Sequence, residues 1–391
     1  MLYRYSAHLL FVCVLLLCAL GFVMLSSTVA VSTTNSQGSD MFAPILKMQA
    51  LWLTLGLVVL LIAAFTPVDF ILRLTWPVFL VCVAMLVLCY VDGVGKSIKG
   101  ARRWIELAGL TLQPSELAKF SVILLLGWWY QNYLKKTKTL IFGFLLPTTL
   151  TLLPILLILF QKDVGTAALI FATSFLVMFV AGVKKRYLAA LFLVVVVGFA
   201  GLVLRDPVRA KRLTSHFQKE NPQVLLEAGY QQRQSIIALG SGGIEGVGLE
   251  RSLQKQFYLP EAHTDFIFAI IGEELGLRFT LLVVACYCLI AVCGMTIANL
   301  STRNAHALVA VGIVTCLCLQ AFTNIAVVTA ILPNKGLPLP FISYGGSHLV
   351  VALGMVGVLI SISRSSTQAR GEDMHTRVAR YYLKNESKAT A

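Results

Sequence analysis

The sequence predicts an all-α, polytopic integral membrane protein of ten transmembrane helices, and three observations predict it. Of its 391 residues 58% are apolar and only 13% charged, with a mean hydropathy of +0.82, whereas soluble domains carry about 25% charge. Apolar runs of roughly 20 residues, long enough to cross a bilayer, recur along the chain. Basic residues gather in short clusters between those runs rather than on one soluble face. The net charge of +14 therefore points to a membrane surface or an anionic lipid, and not to nucleic acid. The abundance of Leu, Val, Ile and Phe excludes disorder.

The expected spans cover about 9–31, 46–65, 70–91, 115–134, 139–160, 164–182, 187–204, 265–295, 305–332 and 340–363. The first follows Arg4 and ends near Ser26, Ser27 and Thr28, which resembles a signal peptide but has the length of a retained signal anchor. The eighth carries Glu273, Glu274 and Arg278, and reads as one tilted helix or as two pieces around Gly276. A large extracytoplasmic loop, residues 205–264, separates helices 7 and 8. Residues 1–363 form one membrane domain, and 364–391 read as a flexible cytoplasmic tail rich in Ser, Thr and charge. Lys135, Lys136, Lys138, Lys184, Lys185 and Arg186 share one side with Arg364, Arg370, Arg377 and Arg380. The excess of basic residues on cytoplasmic loops makes that side the inner one and both termini cytoplasmic. All nine cysteines lie inside apolar runs, without a Cys-x-x-Cys pair, and read as small buried hydrophobes.

The opposite side is also basic. Lys96, Lys99, Arg102 and Arg103, then Arg205, Arg209, Lys211, Arg212, Lys219, Arg233, Arg251 and Lys255, fall outside against the usual bias. Cations there suit either an anionic ligand or lipid headgroups.

Charged side chains inside a span cost about 2.5–3.5 kcal/mol on insertion scales and mark candidate functional sites. Glu116 and Lys119 are three apart on one helix face, as a structural ion pair or a functional one. Glu273 and Glu274 project to different sides of their helix, so at most one shares a polar cavity with Asp265. Asp265 stands where the outer loop re-enters the membrane. Pro260 breaks the chain before it and Thr264 caps, which puts Asp265 in the first helical turn. Such a carboxylate is a helix-start preference or a base; His263 beside it reads as a structural group. Gln161, Lys162 and Asp163 interrupt two apolar runs on the same outer face. Two Gly-rich segments, 240–248 and 334–347, permit close backbone approach to a ligand or tight helix packing. Neither has the Gly-Lys-Ser/Thr of a phosphate-binding loop, which argues against nucleotide hydrolysis.

Five blocks taken together resemble the FtsW/RodA (SEDS) family of membrane glycosyltransferases, over nearly the whole hydrophobic portion. They are Gly-Ala-Arg-Arg-Trp-Ile at 100–105, Gln-Pro-Ser-Glu-Leu-Ala-Lys at 113–119, the stretch from Gln234 to Gly243, that from Leu259 to Leu277, and that from Leu337 to Gly346. The segment 252–263 and Lys335 resemble the division branch more than the elongation branch. Two departures stand out: Lys162 where a proline is usual, and Glu250 with Arg251 where Gly-Asn is common.

The resemblance implies polymerisation of lipid II, a disaccharide-pentapeptide on undecaprenyl pyrophosphate, into glycan strands. The place is the outer face of the bacterial cytoplasmic (inner) membrane at the division septum. Asp265 maps to the base that takes the proton of the attacking hydroxyl, and Arg102, Arg103, Lys119 and Lys335 are candidates to stabilise the leaving pyrophosphate. Trp104, Glu116, Asp163, Gln234, Ser235, Ser343, Tyr344 and Gly345 complete the substrate-binding candidates. One base and direct displacement imply inversion at the sugar. No tightly bound cofactor is expected, although a Mg²⁺ or Mn²⁺ ion beside Asp265 fits the chemistry. Expected partners are a class B transpeptidase of the FtsI type and other membrane proteins of the division complex. A lipid II flippase and a non-catalytic division scaffold are the competing readings.

Overall fold

The computed structural model describes residues 2–34, 42–98, 101–107, 109–205, 229–256 and 258–389. The helices are α1 (Leu2–Thr34), α2 (Phe42–Phe65), α3 (Val68–Arg73), α4 (Thr75–Leu88), α5 (Pro114–Asn132), α6 (Leu146–Phe160) and α7 (Val164–Val180). They continue as α8 (Lys185–Arg205), α9 (Tyr230–Gly242), α10 (Ile267–Leu300), α11 (Asn304–Val328) and α12 (Gly346–Ala389). Among the described residues six helices are long and apolar enough to cross a membrane: those at 5–29, 44–65, 141–160, 267–299, 304–328 and 346–368. The helices at 75–88 and 164–180 are apolar but shorter.

Six of the ten expected spans thus qualify by length and composition among the described residues, and three of the other four have local reasons for falling short. Pro77 has no N–H to give the carbonyl of Arg73, and the expected third span breaks at Leu74 into α3 and α4. α7 starts only at its cap residue Asp163. α5 buries Ser115, Glu116, Lys119 and Ser121, so its mean hydropathy is low although its length suffices.

One expectation is corrected. The chain is not purely helical: β1 (Gly95–Ile98), β2 (Ala101–Leu107) and β3 (Leu110–Leu112) form an antiparallel meander. Its register pairs Gly95 with Ile105 and Ile105 with Leu112. At a membrane boundary the ladder satisfies backbone groups that a loop would leave bare. The stretch from Arg364 continues α12 as helix to Ala389; its Ala, Arg, Glu, Lys and Leu are good helix formers and no proline stops it. Lys99, Arg209, Lys211, Arg212 and Lys219 lie outside the described residues.

Packing divides the apolar interior in two. One core joins α1, α10, α11 and α12, with Leu10, Tyr287, Val309 and Leu353 all but inaccessible. The other joins α4 to α7 through Leu86, Val122, Ile158 and Val177. α11 packs on α5, α7 and α10 and so touches both. α10 is two pieces around Gly276 (φ 76°, ψ −172°). A Cβ there would meet the Gly246 nitrogen at 2.4 Å and the Ile244 carbonyl at 2.5 Å, so only glycine supplies both the left-handed φ and the close approach.

Candidate active site

Asp265 lies in an irregular stretch two residues ahead of α10, whose cap position is Phe266. Its expected place in the first helical turn is therefore corrected. Thr264 does not cap the helix; its hydroxyl goes back to the Glu261 carbonyl (3.3 Å) and carboxylate (3.0 Å). The amides of Thr264 and Phe266 both donate to the Glu261 carbonyl, closing a tight turn after Pro260 with Glu261 at φ 59°.

Facing Asp265 is the extended segment between α11 and α12. A Cβ on Gly336 would sit 2.5 Å from Asp265 Oδ2, so glycine is what lets the carboxylate lie against that backbone. Ser343 Oγ accepts from the Leu339 amide (2.7 Å) and donates to the Thr264 carbonyl (2.6 Å). The Tyr344 amide donates to the His263 carbonyl (3.0 Å), and the two rings meet edge to face at 5.9 Å. Ser343 and Tyr344, expected to touch substrate, spend these groups on holding the segment to the Asp265 turn. Burial raises the pKa of Tyr344, so its phenol is neutral at pH 7. Gly345 packs on the His348 ring.

A second corner comes from β2 and the α6–α7 turn. Arg103 donates to the carbonyls of Gln161 (3.1 Å) and Lys162 (2.8 Å) and lies 3.8 Å from Asp163. Asp163, 5% exposed, caps α7 by accepting from the amide (3.2 Å) and hydroxyl (3.0 Å) of Thr166. Gly165, on the same turn, packs against Leu337, which brings this corner beside Gly336. Ser347 of α12 accepts from the Gln113 amide and donates to the Thr111 carbonyl, tying the meander to the site. Trp104 is half-buried in β2. Arg102 turns away from this corner and pairs with exposed Asp92.

Lys162 takes φ 63°, a conformation closed to proline. Lys162→Gly is expected to raise stability by about 1 kcal/mol by relieving left-handed strain, and Lys162→Pro to lower the thermal midpoint. Thermal unfolding of the purified protein in detergent decides; equal midpoints for all three would reject the strain.

Among the described residues, Lys335 is the one charged residue lining a groove of about 620 Å³ whose other walls are apolar residues of α6, α7 and α8, among them Ile155, Leu159, Ala168, Phe171 and Val195. Burial lowers its pKa. One residue separates Lys335 from the Leu337 that packs on α7.

The remaining candidates stand apart from Asp265. Glu116 and Lys119 form a buried ion pair of 2.6 Å, and Lys119 also donates to Gln320 Oε1 (2.7 Å). Ser235 donates to the Gln232 and Val328 carbonyls (2.8 Å each), a structural tie of α9 to α11; Gln234 is half-buried on the same helix. Glu273 and Glu274 do not diverge as expected. Both are buried and both receive the 252–255 turn: Glu273 from Ser252 and the Leu253 amide, Glu274 from Lys255 and Ser27. The tight turn made by that segment and the break at Gly276 bring them to one surface. Lys255 is thus an internal cation rather than an outward one.

Three amides escaped the sequence reading: Gln232, which holds the Val327 and Leu332 carbonyls, and Gln320 and Asn324, which hold the segment facing Asp265. For Gln320 and Asn324 the only sequence signal is a polar side chain inside an apolar helix, and Gln232 is hidden among the polar residues that open α9. Among the described residues no group of three or more His, Cys, Asp or Glu gathers to hold a metal. The single carboxylate of Asp265 suits a Mg²⁺-type ion that takes its other ligands from water and substrate phosphates.

Comparison with known proteins follows the same outline. The family described as cell cycle protein (FtsW, RodA, SpoVE) matches residues 7–368. The probable peptidoglycan glycosyltransferase FtsW of Geobacter metallireducens is 36% identical over 361 residues, covering 92% of this chain and 95% of that protein. Stage V sporulation protein E of Bacillus subtilis is 37% identical over 361 residues, with 92% and 97% covered. A solved chain from a peptidoglycan synthase complex that coordinates polymerization and crosslinking superimposes with a TM-score of 0.73 at 26% identity. It covers 92% of this chain and 98% of that one.

Proposed function

Because the chain belongs to the FtsW, RodA and SpoVE family of cell cycle proteins, we propose that it polymerises lipid II into glycan strands during septal wall synthesis. It is a peptidoglycan glycosyltransferase, like its curated relatives, and a multi-pass membrane protein. The finer topology in this reading is ten crossings with both termini cytoplasmic and Asp265 at the outer face of the bacterial cytoplasmic membrane.

One observation carries the substrate: an otherwise apolar groove in the membrane domain is lined, among the described residues, by a single cation, Lys335, next in sequence to the glycine against which Asp265 lies. Lipid II has the matching parts in the matching order, a polyprenyl tail, a pyrophosphate and a sugar. The tail lies along α6, α7 and α8. Lys335 meets the pyrophosphate, with Arg103 beside it as a second, charge-assisted donor. The acceptor's 4-hydroxyl gives its proton to Asp265 as its oxygen attacks the anomeric carbon. The bond to the pyrophosphate oxygen breaks from the opposite side, which inverts the sugar to a β linkage and releases undecaprenyl pyrophosphate. A divalent ion held by Asp265 and the phosphates would supply further neutralisation of the leaving charge. The structural relative from a synthase complex supports a class B transpeptidase as the partner for this chain.

Filling the groove tests the reading. Ala168→Trp is expected to raise the KM for lipid II by about tenfold, since several buried methylenes of the tail at about 0.8 kcal/mol each lose their place. A short-tailed lipid II analogue is expected to change far less. Purified protein with its transpeptidase, lipid II and gel analysis of the polymer provide the measurement. An unchanged KM removes the groove from substrate binding, and no polymer from the wild type removes the polymerase reading.

A further inference from the structure

The segment facing Asp265 reads Gly-Leu-Pro-Leu-Pro at 336–340. Pro338 and Pro340 have no backbone N–H, and the segment belongs to no helix or strand. It cannot hold itself by its own ladder, so its carbonyls need donors from elsewhere. α11 provides them. Gln320 and Asn324 are four residues apart and share one helix face; they are 2% and 1% exposed.

Asn324 Nδ2 donates to two carbonyls at 2.7 Å, Leu337 on one side and Asp265 itself on the other. Gln320 Nε2 donates to the next carbonyl, Pro338, at 2.8 Å, while its Oε1 accepts from Lys119 at 2.7 Å. Chemistry fixes both orientations. Turning the Asn324 amide over would set its oxygen against two carbonyl oxygens, and turning Gln320 would set its NH₂ against an ammonium. Two consecutive carbonyls of the segment are therefore pinned to α11. The same Asn324 nitrogen pins the backbone of Asp265 to the residue next to Gly336.

We propose that Asn324, with Gln320 one turn away, is a positioning residue: it staples the Asp265 turn to the 336–338 segment and thereby fixes where the carboxylate points. The pair of amides transmits that fixity from the rigid α5–α11 contact, where Lys119 and Glu116 hold Gln320, to the site. A misplacement of about 1 Å at a reacting group costs up to 10²-fold in rate, so the staple acts on turnover more than on substrate capture. This proposal rests on the polymerase reading for its rate arm only.

The test compares wild type with Asn324→Ala and, as a second variant touching only the other amide, Gln320→Met. Hydrogen exchange followed by mass spectrometry reads the positioning directly. Exchange in 258–266 and 333–339 is expected to rise about tenfold in Asn324→Ala while the interiors of α10 and α11 stay protected. Polymerisation kcat is expected to fall at least about tenfold with the KM for lipid II within about twofold. Gln320→Met is expected to loosen 333–339 and leave 258–266 unchanged. Unchanged exchange in both segments overturns the staple. So does a rise spread evenly over all helices, which is general destabilisation, or a local rise without loss of kcat. Wild type that makes no polymer defeats the polymerase reading, and the exchange arm still decides the staple.

Discussion

Asp265→Ala is expected to abolish glycan-strand synthesis from purified lipid II, with a fall in rate of about 10²–10⁴-fold, while the protein remains folded and bound to its transpeptidase. The fold argument is local. Asp265 is only half-buried, and the bond it makes through Asn324 uses its main-chain carbonyl, which alanine keeps. What alanine removes is the carboxylate lying against Gly336 beside the lysine-lined groove. Asp265→Asn sharpens the comparison, because it keeps the shape while losing the negative charge and with it the ability to take a proton. Polymer on a gel, normalised to folded protein by thermal unfolding, is the readout. Equal polymer from wild type and both variants would take Asp265 out of the mechanism and turn attention to Asp163 and Glu116. Asp163 is the nearer rival, since its turn packs on Leu337.

Much of this was legible in the residues, for physical reasons that differ from place to place. Apolar length exposed the helices because the bilayer punishes every interruption. Two of the spans so read, 70–91 and 115–134, are missing from the six helices that qualify by length and composition, because one is broken at Pro77 and the other is lined by groups such as Lys119 that neighbouring helices receive. Asp265, Glu116 and Lys119 announced themselves by being charged near apolar runs. The sheet at 95–112 went unseen because its strands are short and paired residues such as Arg102 with Arg103 and Trp104 with Ile105 break the period-2 alternation of a strand. Glu273 and Glu274 show the limit of helical geometry: on an ideal helix they diverge, yet a turn from another segment and the break at Gly276 meet both. Asn324 and Gln320 were invisible for a different reason. A lone amide in a span reads as packing until the carbonyls it serves are known, and those carbonyls are far away in the chain, at Asp265 and at Leu337 and Pro338. Of the five described non-glycine residues with positive φ, Lys162, Glu261, Ala330 and Phe341 lie in turns that carry or flank the site, and Glu250 lies apart from it; such strain is commonly stored at sites.

Lys119→Met is expected to destabilise the protein by about 3–5 kcal/mol, because it leaves the Glu116 carboxylate buried without its cation. The side chains of both partners are 4% exposed, so water does not replace the lost ammonium. The double variant Lys119→Met with Glu116→Gln is expected to recover most of that loss, since a neutral pair no longer has a buried charge to compensate. Thermal unfolding of the three proteins measures this, and equal midpoints for the single and double variants would show that the pair is not coupled. Activity is expected to divide from stability. Gln320 Oε1 loses the Nζ donor at 2.7 Å in both variants, so the amide that holds Pro338 is freer to turn in the stable double variant as well. A folded double variant with a reduced kcat would make the ion pair part of the positioning of Asp265. A folded double variant with full kcat would confine the pair to joining α5 and α11.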